Sequence, residues 1–249
     1  MNEMTEMDQP KSKMMIPWAR FGIESVLIVA SILVAFAIDA WWDSRSDRKE
    51  EQALLIALAQ DFDEASAEFD KSKSVQLLIA RAGEQLITYS EDGNVPEKER
   101  ERFDLLVSQH FARFTFDSPT GTVDSAIGSG KINLLSNQRL VAELTQWSAV
   151  VEEVRQLQTD ARTHFYERIY PYLASRYDLE DMDKGYPQFV DNFPWQQDSS
   201  DAYNLVTERE FMSIIYMHWV LSTNILTALD AVEEAIANIR DLIDAEFAK

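Results

Sequence analysis

The stretch from Phe21 to Trp42, FGIESVLIVASILVAFAIDAWW, constrains this chain more than any other. Its 22 residues would extend about 33 Å as an α-helix, close to the ~30 Å hydrocarbon thickness of a bilayer. Fourteen residues between Glu24 and Asp39 carry no charge. Apolar side chains occur all the way round the helix rather than along one stripe, so no polar face is left for water. Trp18 and Arg20 precede the segment, and Trp41, Trp42 and Arg45 follow it. Tryptophan prefers the headgroup level, so Trp18, Trp41 and Trp42 are expected to act as interfacial anchors. Two other readings compete with a span. One is a buried core helix. The other is a cleaved signal peptide, for which Ala35-Phe36-Ala37 offers an A-x-A site after an unusually long and mixed-charge start.

Within the span, Glu24 sits about one turn from the start. It either reaches the headgroups or contacts a partner helix, because an acid in hydrocarbon is costly. Ser31 and Ala35 form a small-xxx-small pair that would let two helices approach closely. Glu24, Ser31 and Ala35 are therefore the candidate membrane-helix contacts, and self-association is one use for them. Basic residues near the two ends nearly balance: Lys11, Lys13 and Arg20 before, Arg45, Arg48 and Lys49 after. With the α-amine counted, the positive-inside rule leans to an inner-membrane protein whose C-terminal part lies in the periplasm.

The remainder is acidic. A net charge of −20 would repel a phosphate backbone, and no basic footprint is visible, so no nucleic-acid partner is expected. Hydrophobic residues make up 46% of the chain, too many for a disordered tail. The absence of cysteine excludes disulfides and thiolate chemistry.

Periodicity after the span is helical. Leu54, Leu55, Leu58, Phe62, Ala65 and Phe69 recur at three- and four-residue spacing. After a polar patch, Asp70 to Ser74, the stripe resumes through Val75, Leu78, Ile79, Ala82, Leu86 and Tyr89. No Gly or Pro lies between Trp42 and Leu54, so one helix should run from the span to about Tyr89. Glu91-Asp92-Gly93-Asn94-Val95-Pro96 should stop it. A second helix is expected from Glu97 to Phe114, with Phe103, Leu106, Val107 and His110 on one face. A short one is expected from Pro119 to Ile127, capped by Asp117 or Ser118 and ended by Gly128 and Gly130. Asn137 should cap a long helix reaching Arg176 and bent near Pro171. A Gly-, Pro- and acid-rich loop over 178–201 follows. Its Tyr186, Phe189, Phe193 and Trp195 form a candidate interaction loop, since aromatic anchors suit interfaces as they do cores. The last helix should run from Glu208 to Phe247. No strand alternation and no repeat is found. The expected fold is all-α: an N-terminal tail (1–20), a transmembrane helix (21–42) and an acidic helical domain (43–249), the domain a bundle.

Motifs for chemistry fail on context. Gly128-Ser129-Gly130-Lys131 resembles the end of a phosphate loop, but Ser125 and Ile132 stand where Gly and Ser/Thr are required. His110, His164 and His218 fall on different helices without ligand spacing, so no metal site is expected. Asp181-x-Asp183-x-Gly185 misses the register of a calcium loop. There is no Glu-x-x-His pair for a di-iron bundle and no G-x-S-x-G. No catalytic residue and no cofactor are expected.

Gly22-x-Glu24-x-x-Leu27, running through Ile38-x-x-Trp41-Trp42-Asp43 into a charged helix, is followed by Ser129-Gly130-Lys131-Ile132-Asn133-Leu134-Leu135 after the Ser/Thr-rich 115–124. This pair of blocks resembles an uncharacterised bacterial family of single-pass membrane proteins with a helical domain of unknown function. The likeness covers about a fifth of the chain and implies architecture and membrane location; it transfers no catalytic residue. The resulting expectation is a non-enzymatic, membrane-anchored helical protein, an accessory or scaffold subunit of an envelope complex with other membrane or envelope proteins as partners. The alternative is an extracytoplasmic ligand-sensing domain signalling through a partner. A hydrolase using acids such as Asp61 or Asp181 is a third possibility.

Overall fold

The computed structural model describes residues 18–112, 114–177 and 199–248. It is all-α, with no strand among the described residues. Six α-helices are described: α1 (Trp18–Asp92), α2 (Arg100–His110), α3 (Gly121–Gly128), α4 (Gln138–His164), α5 (Tyr170–Ala174) and α6 (Arg209–Phe247). Short 3-10 turns cover Glu97–Glu99, Lys131–Leu134 and Ser199–Thr207. Two units separate, residues 1–50 and residues 51–249.

In the first unit, every described side chain of α1 is exposed. Val26, Leu27, Ile28, Val29, Ile32, Leu33, Val34, Phe36 and Ile38 each leave half or more of their surface uncovered. The helical stretch is long and apolar enough to cross a membrane. α6 passes the same test of length and composition, but one face of α6 is buried along its length, as in a core helix.

In the second unit, α1, α4 and α6 share one hydrophobic cluster. Leu58, Phe62 and Phe69 of α1 meet Leu144, Trp147 and Val151 of α4 and Leu229, Val232 and Ile239 of α6. Phe62 and Trp147 pack ring against ring, with centroids 4.9 Å apart. α1 and α6 run antiparallel. Asp63 pairs with Arg240 at 2.8 Å, and Lys73 reaches Asp230 at 3.0 Å and Glu233 at 2.5 Å. Asn137 caps α4 as expected: its Oδ1 accepts from the N–H of Arg139 and Leu140 at 3.1 and 3.2 Å. Its Nδ2 donates to Glu246 near the end of α6 at 2.8 Å.

A second cluster lies nearer the α2 end, built from Leu86, Phe103, Val107, Ile169, Leu173, Phe211 and Ile215. Tyr177 and Tyr203, which flank residues 178–198, both donate their hydroxyls to the Asp104 carboxylate, at 2.6 and 3.0 Å.

Helix boundaries differ from expectation at several points, the start of α2 among them: Glu97–Glu99 is a 3-10 turn and α2 begins at Arg100. α2 ends at His110 rather than Phe114; Phe111 and Phe116 are both buried, and the chain leaves the helix between them. α3 starts at Gly121 rather than Pro119, and its N-cap Thr120 makes no side-chain cap bond. The Pro119 carbonyl instead accepts the Trp147 indole N–H at 3.4 Å, and Ser118 is buried. A further difference is at Pro171. α4 does not simply bend there: a π-helical turn, Phe165–Ile169, carries it into α5. A proline ring cannot donate and clashes with the carbonyl four residues back, here Glu167; the wider turn moves that carbonyl aside. The turn Lys131–Leu134 follows the left-handed Gly130 (φ +75°) and buries Ile132; Leu135, its C-cap, is also buried.

Candidate functional site

The two hydrophobic clusters do not merge. Between them, the core-facing positions of α1 after Phe69 are Ser72 and Gln76, and those of α6 between Ile215 and Ile225 are His218 and Ser222; all four are buried. His110 of α2 and Gln158 of α4 complete this polar layer. Buried polar groups must find partners or cost free energy. Gln76 Nε2 donates to Ser222 Oγ at 2.7 Å and to the Ser222 carbonyl at 3.2 Å. The Phe116 N–H donates to Gln158 Oε1 at 3.2 Å.

His110 lies between two carbonyls, with Nδ1 3.0 Å from Ile79 O and Nε2 3.3 Å from Ile215 O. Two carbonyls favour the imidazolium, but burial opposes the charge and wins, pushing the His110 pKa down to about 4. The neutral ring has one N–H, so it donates to only one of the two carbonyls. The ring packs edge-on against His218, with centroids 4.9 Å apart and planes at 84°, and against Phe111. It fits there because residue 83 of α1 is glycine. A Cβ at Gly83 would sit 2.5 Å from His110 Cε1 and 3.1 Å from Trp219 Cδ1.

His218 is held well below the usual histidine range, first by burial, then by repulsion from His110 and His164; a hydrogen bond to the His110 backbone opposes both. The three histidines, expected on separate helices, are thus close enough to feel one another. His164 is also lowered, by burial and then by Arg168. Their rings do not converge: no group of three or more ligating side chains able to hold a metal ion occurs among the described residues. His218 Nδ1, Trp219 Nε1 and His164 Nε2 are buried without a hydrogen-bond partner.

A half-open chamber of about 120 Å³ borders this layer. Its apolar wall is Ile79, Ala112, Phe114, Ala161, Phe165 and Ile225; its polar wall is Gln76, Thr115, Gln158, Arg162, His218 and Ser222. A second, outer cavity of about 270 Å³ shares Thr115, Gln158 and Arg162 and adds Phe116, Asp117, Arg155 and Thr159. An apolar cavity with a few convergent polar groups is suited to a small amphipathic ligand.

The residues singled out from sequence lie elsewhere. Glu24, Ser31 and Ala35 are exposed on α1, and the Ser31 hydroxyl donates to the Leu27 carbonyl at 2.7 Å, a local bond that satisfies it within its own helix. Trp41 and Trp42 are exposed, their rings 6.1 Å apart, and the Arg45 guanidinium lies over Trp41 at 5.8 Å. Trp18 opens α1. Tyr186, Phe189, Phe193 and Trp195 lie outside the described residues. The chamber was missed, although the sequence carries a signal for it: Ser72, Gln76, His218 and Ser222 interrupt apolar stripes at core-facing spacing.

Comparison with protein-family models, with curated proteins and with solved structures finds no match to this chain.

Proposed function

We propose that this chain is a non-enzymatic, membrane-anchored helical protein that acts through protein contacts, as an accessory or scaffold subunit of a cell-envelope complex. The observation that supports it is the run of nine large aliphatic and aromatic side chains from Val26 to Ile38, all exposed around α1. Water would penalise that surface, and a bilayer would cover it. Trp41, Trp42 and Arg45 then stand where interfacial anchors belong. The proposed placement is single-pass in the inner membrane, with residues 43–249 on the periplasmic side. Glu24 and Ala35 would meet a partner helix, either a second copy or another membrane protein. Ser31 would add close packing there rather than a hydrogen bond, because its hydroxyl is already used.

The test is a pull-down of the tagged chain from its own membranes in a gentle detergent, with partners identified by mass spectrometry. One protein recovered in near-equal amount is expected. Recovery of the chain alone would overturn the accessory-subunit reading. An alkaline phosphatase fused after Lys249 should be active, and an inactive fusion would overturn the periplasmic placement.

A second reading, an extracytoplasmic ligand-sensing domain that signals through a partner, is favoured by the chamber. Its walls include residues of α1, α4 and α6, so an occupant would touch the same helix that carries the proposed span.

A further inference from the structure

Two glutamines make the polar wall of the chamber selective. Gln76 of α1 is 6% exposed and Gln158 of α4 is 9% exposed. One end of each side-chain amide is pinned. Gln76 Nε2 donates to Ser222 Oγ at 2.7 Å and to the Ser222 carbonyl at 3.2 Å, and only the N–H₂ end of an amide can donate to a carbonyl. Gln158 Oε1 accepts the Phe116 N–H at 3.2 Å, and only the oxygen end can accept. The partners therefore fix both amide orientations and leave opposite ends free: Gln76 Oε1, an acceptor, and Gln158 Nε2, a donor. Neither has a partner among the described residues, and unlike His218 Nδ1 neither is sealed from accessible space. Both side chains line the chamber, Gln158 where it joins the outer cavity.

The lining also sets the charge and size of an occupant. Its buried polar side chains are neutral: Gln76, Gln158, Ser222 and His218, a histidine held below its usual range. No carboxylate among the described residues lines the chamber, so a cation would lie there unpaired. Arg162, the charged residue among those lining it, is exposed and keeps its own hydration. An anion reaching past it would set its lone pairs against those of the free Gln76 oxygen. The hydrocarbon part of the inner wall is Ile79, Phe165 and Ile225, all buried. The volume of about 120 Å³ is somewhat below the ~150 Å³ that holds benzene, which limits the ligand to about six heavy atoms.

We propose that the chamber binds a small uncharged carboxamide, its carbonyl accepting from Gln158 Nε2, its N–H₂ donating to Gln76 Oε1, and its alkyl part against Ile79, Phe165 and Ile225. An amide carries both complements on one group and so satisfies both free ends at once. The inference rests on the ligand-sensing reading and names the ligand class for it.

The test uses the full chain in nanodiscs and ligand-observed NMR titration with three compounds of one shape: isobutyramide, isobutyrate and 3-methyl-2-butanone. The amide both donates and accepts, the carboxylate is charged and cannot donate, and the ketone only accepts. Saturable binding of isobutyramide is expected, at least tenfold tighter than either isostere. Gln158→Glu keeps an oxygen for the Phe116 N–H and loses the donor, so it should weaken isobutyramide at least tenfold. Ala161→Phe should fill the chamber and remove binding. The ranking of the three compounds is read on wild type, so it stands whether or not a variant folds. No saturable binding, isobutyramide bound no tighter than either isostere, or wild-type binding by a folded Gln158→Glu or Ala161→Phe would each overturn the proposal. Small molecules released from the chain taken from its own membranes, identified by mass spectrometry, separate the two claims. A molecule of other chemistry, retained by wild type and lost from Ala161→Phe, would overturn the ligand class and keep the sensing reading. Nothing retained, together with no titration, would overturn both.

Discussion

At the scale of single residues, Gly83 and His110 form a lock in the polar layer. Glycine inside a helix costs about 1 kcal/mol relative to alanine, so in open space Gly83→Ala would stabilise. Here the new methyl would stand 2.5 Å from a ring that is fully buried. Overpacking of that kind costs roughly 1–3 kcal/mol and outweighs the propensity gain. Gly83→Ala should therefore lower the melting temperature by a few degrees; a rise would show that His110 has room to move. The histidines also set a pH response. Unfolded histidine titrates near 6.5, whereas His110 stays neutral in the fold down to about 4 and His218 is shifted the same way. As pH falls the unfolded chain takes up protons first, so stability is full above about pH 6.5 and is lost toward pH 4, by about 3 kcal/mol for His110 alone. Melting curves at pH 7 and pH 4.5 should separate clearly, and coincident curves would contradict the buried neutral pair.

At the scale of elements, legibility followed the kind of signal. α1 was readable as one helix because nothing between Trp42 and Leu54 breaks it, and Gly93, at φ +62°, ends it where turn chemistry said. The Asn137 cap was readable because capping is local. Asn137→Ala should destabilise by about 1 kcal/mol, since both the cap and the bond to Glu246 are lost; a change within ±0.3 kcal/mol in denaturant titration would contradict that, judged against the usual size of caps. The start of α3 was not readable, because it depends on which indole takes the Pro119 carbonyl, a contact 28 residues away in the chain. Proline at 171 announced a disturbance, but only the backbone shows it as a π-helical turn. The exposed part of α1 has its own balance. Nine large apolar side chains at about −0.3 to −0.6 kcal/mol each favour insertion by roughly 3–5 kcal/mol, and one arginine at the centre opposes it by about 3. Ile32→Arg should therefore move a substantial fraction of the chain out of the membrane pellet; full retention would mean that another element holds it there.

At the scale of the molecule, the all-α fold was legible because its stripes have helical spacing throughout. The division of the domain core was only half legible. The polar patch Asp70 to Ser74 stood out as a gap in one helix, yet its meaning depends on Gln76 meeting Ser222 and His110 meeting His218, pairings 146 and about 108 residues apart. Each of those residues alone reads as a single polar interruption of an apolar stripe. Together they leave a layer that is polar, buried and incompletely bonded, with a chamber beside it. The apolar stretch of α1 and the polar layer differ in this respect: one is visible as composition, the other only as three-dimensional pairing. Membrane anchoring is what the proposed function depends on, so it is tested first. Membranes carrying the full-length chain are washed with alkaline carbonate, which strips peripheral proteins, and pellet and supernatant are probed for the intact chain. The chain should stay in the pellet and leave it only with detergent. Its release into the supernatant at full length would contradict a spanning α1 and, with it, the anchored accessory role.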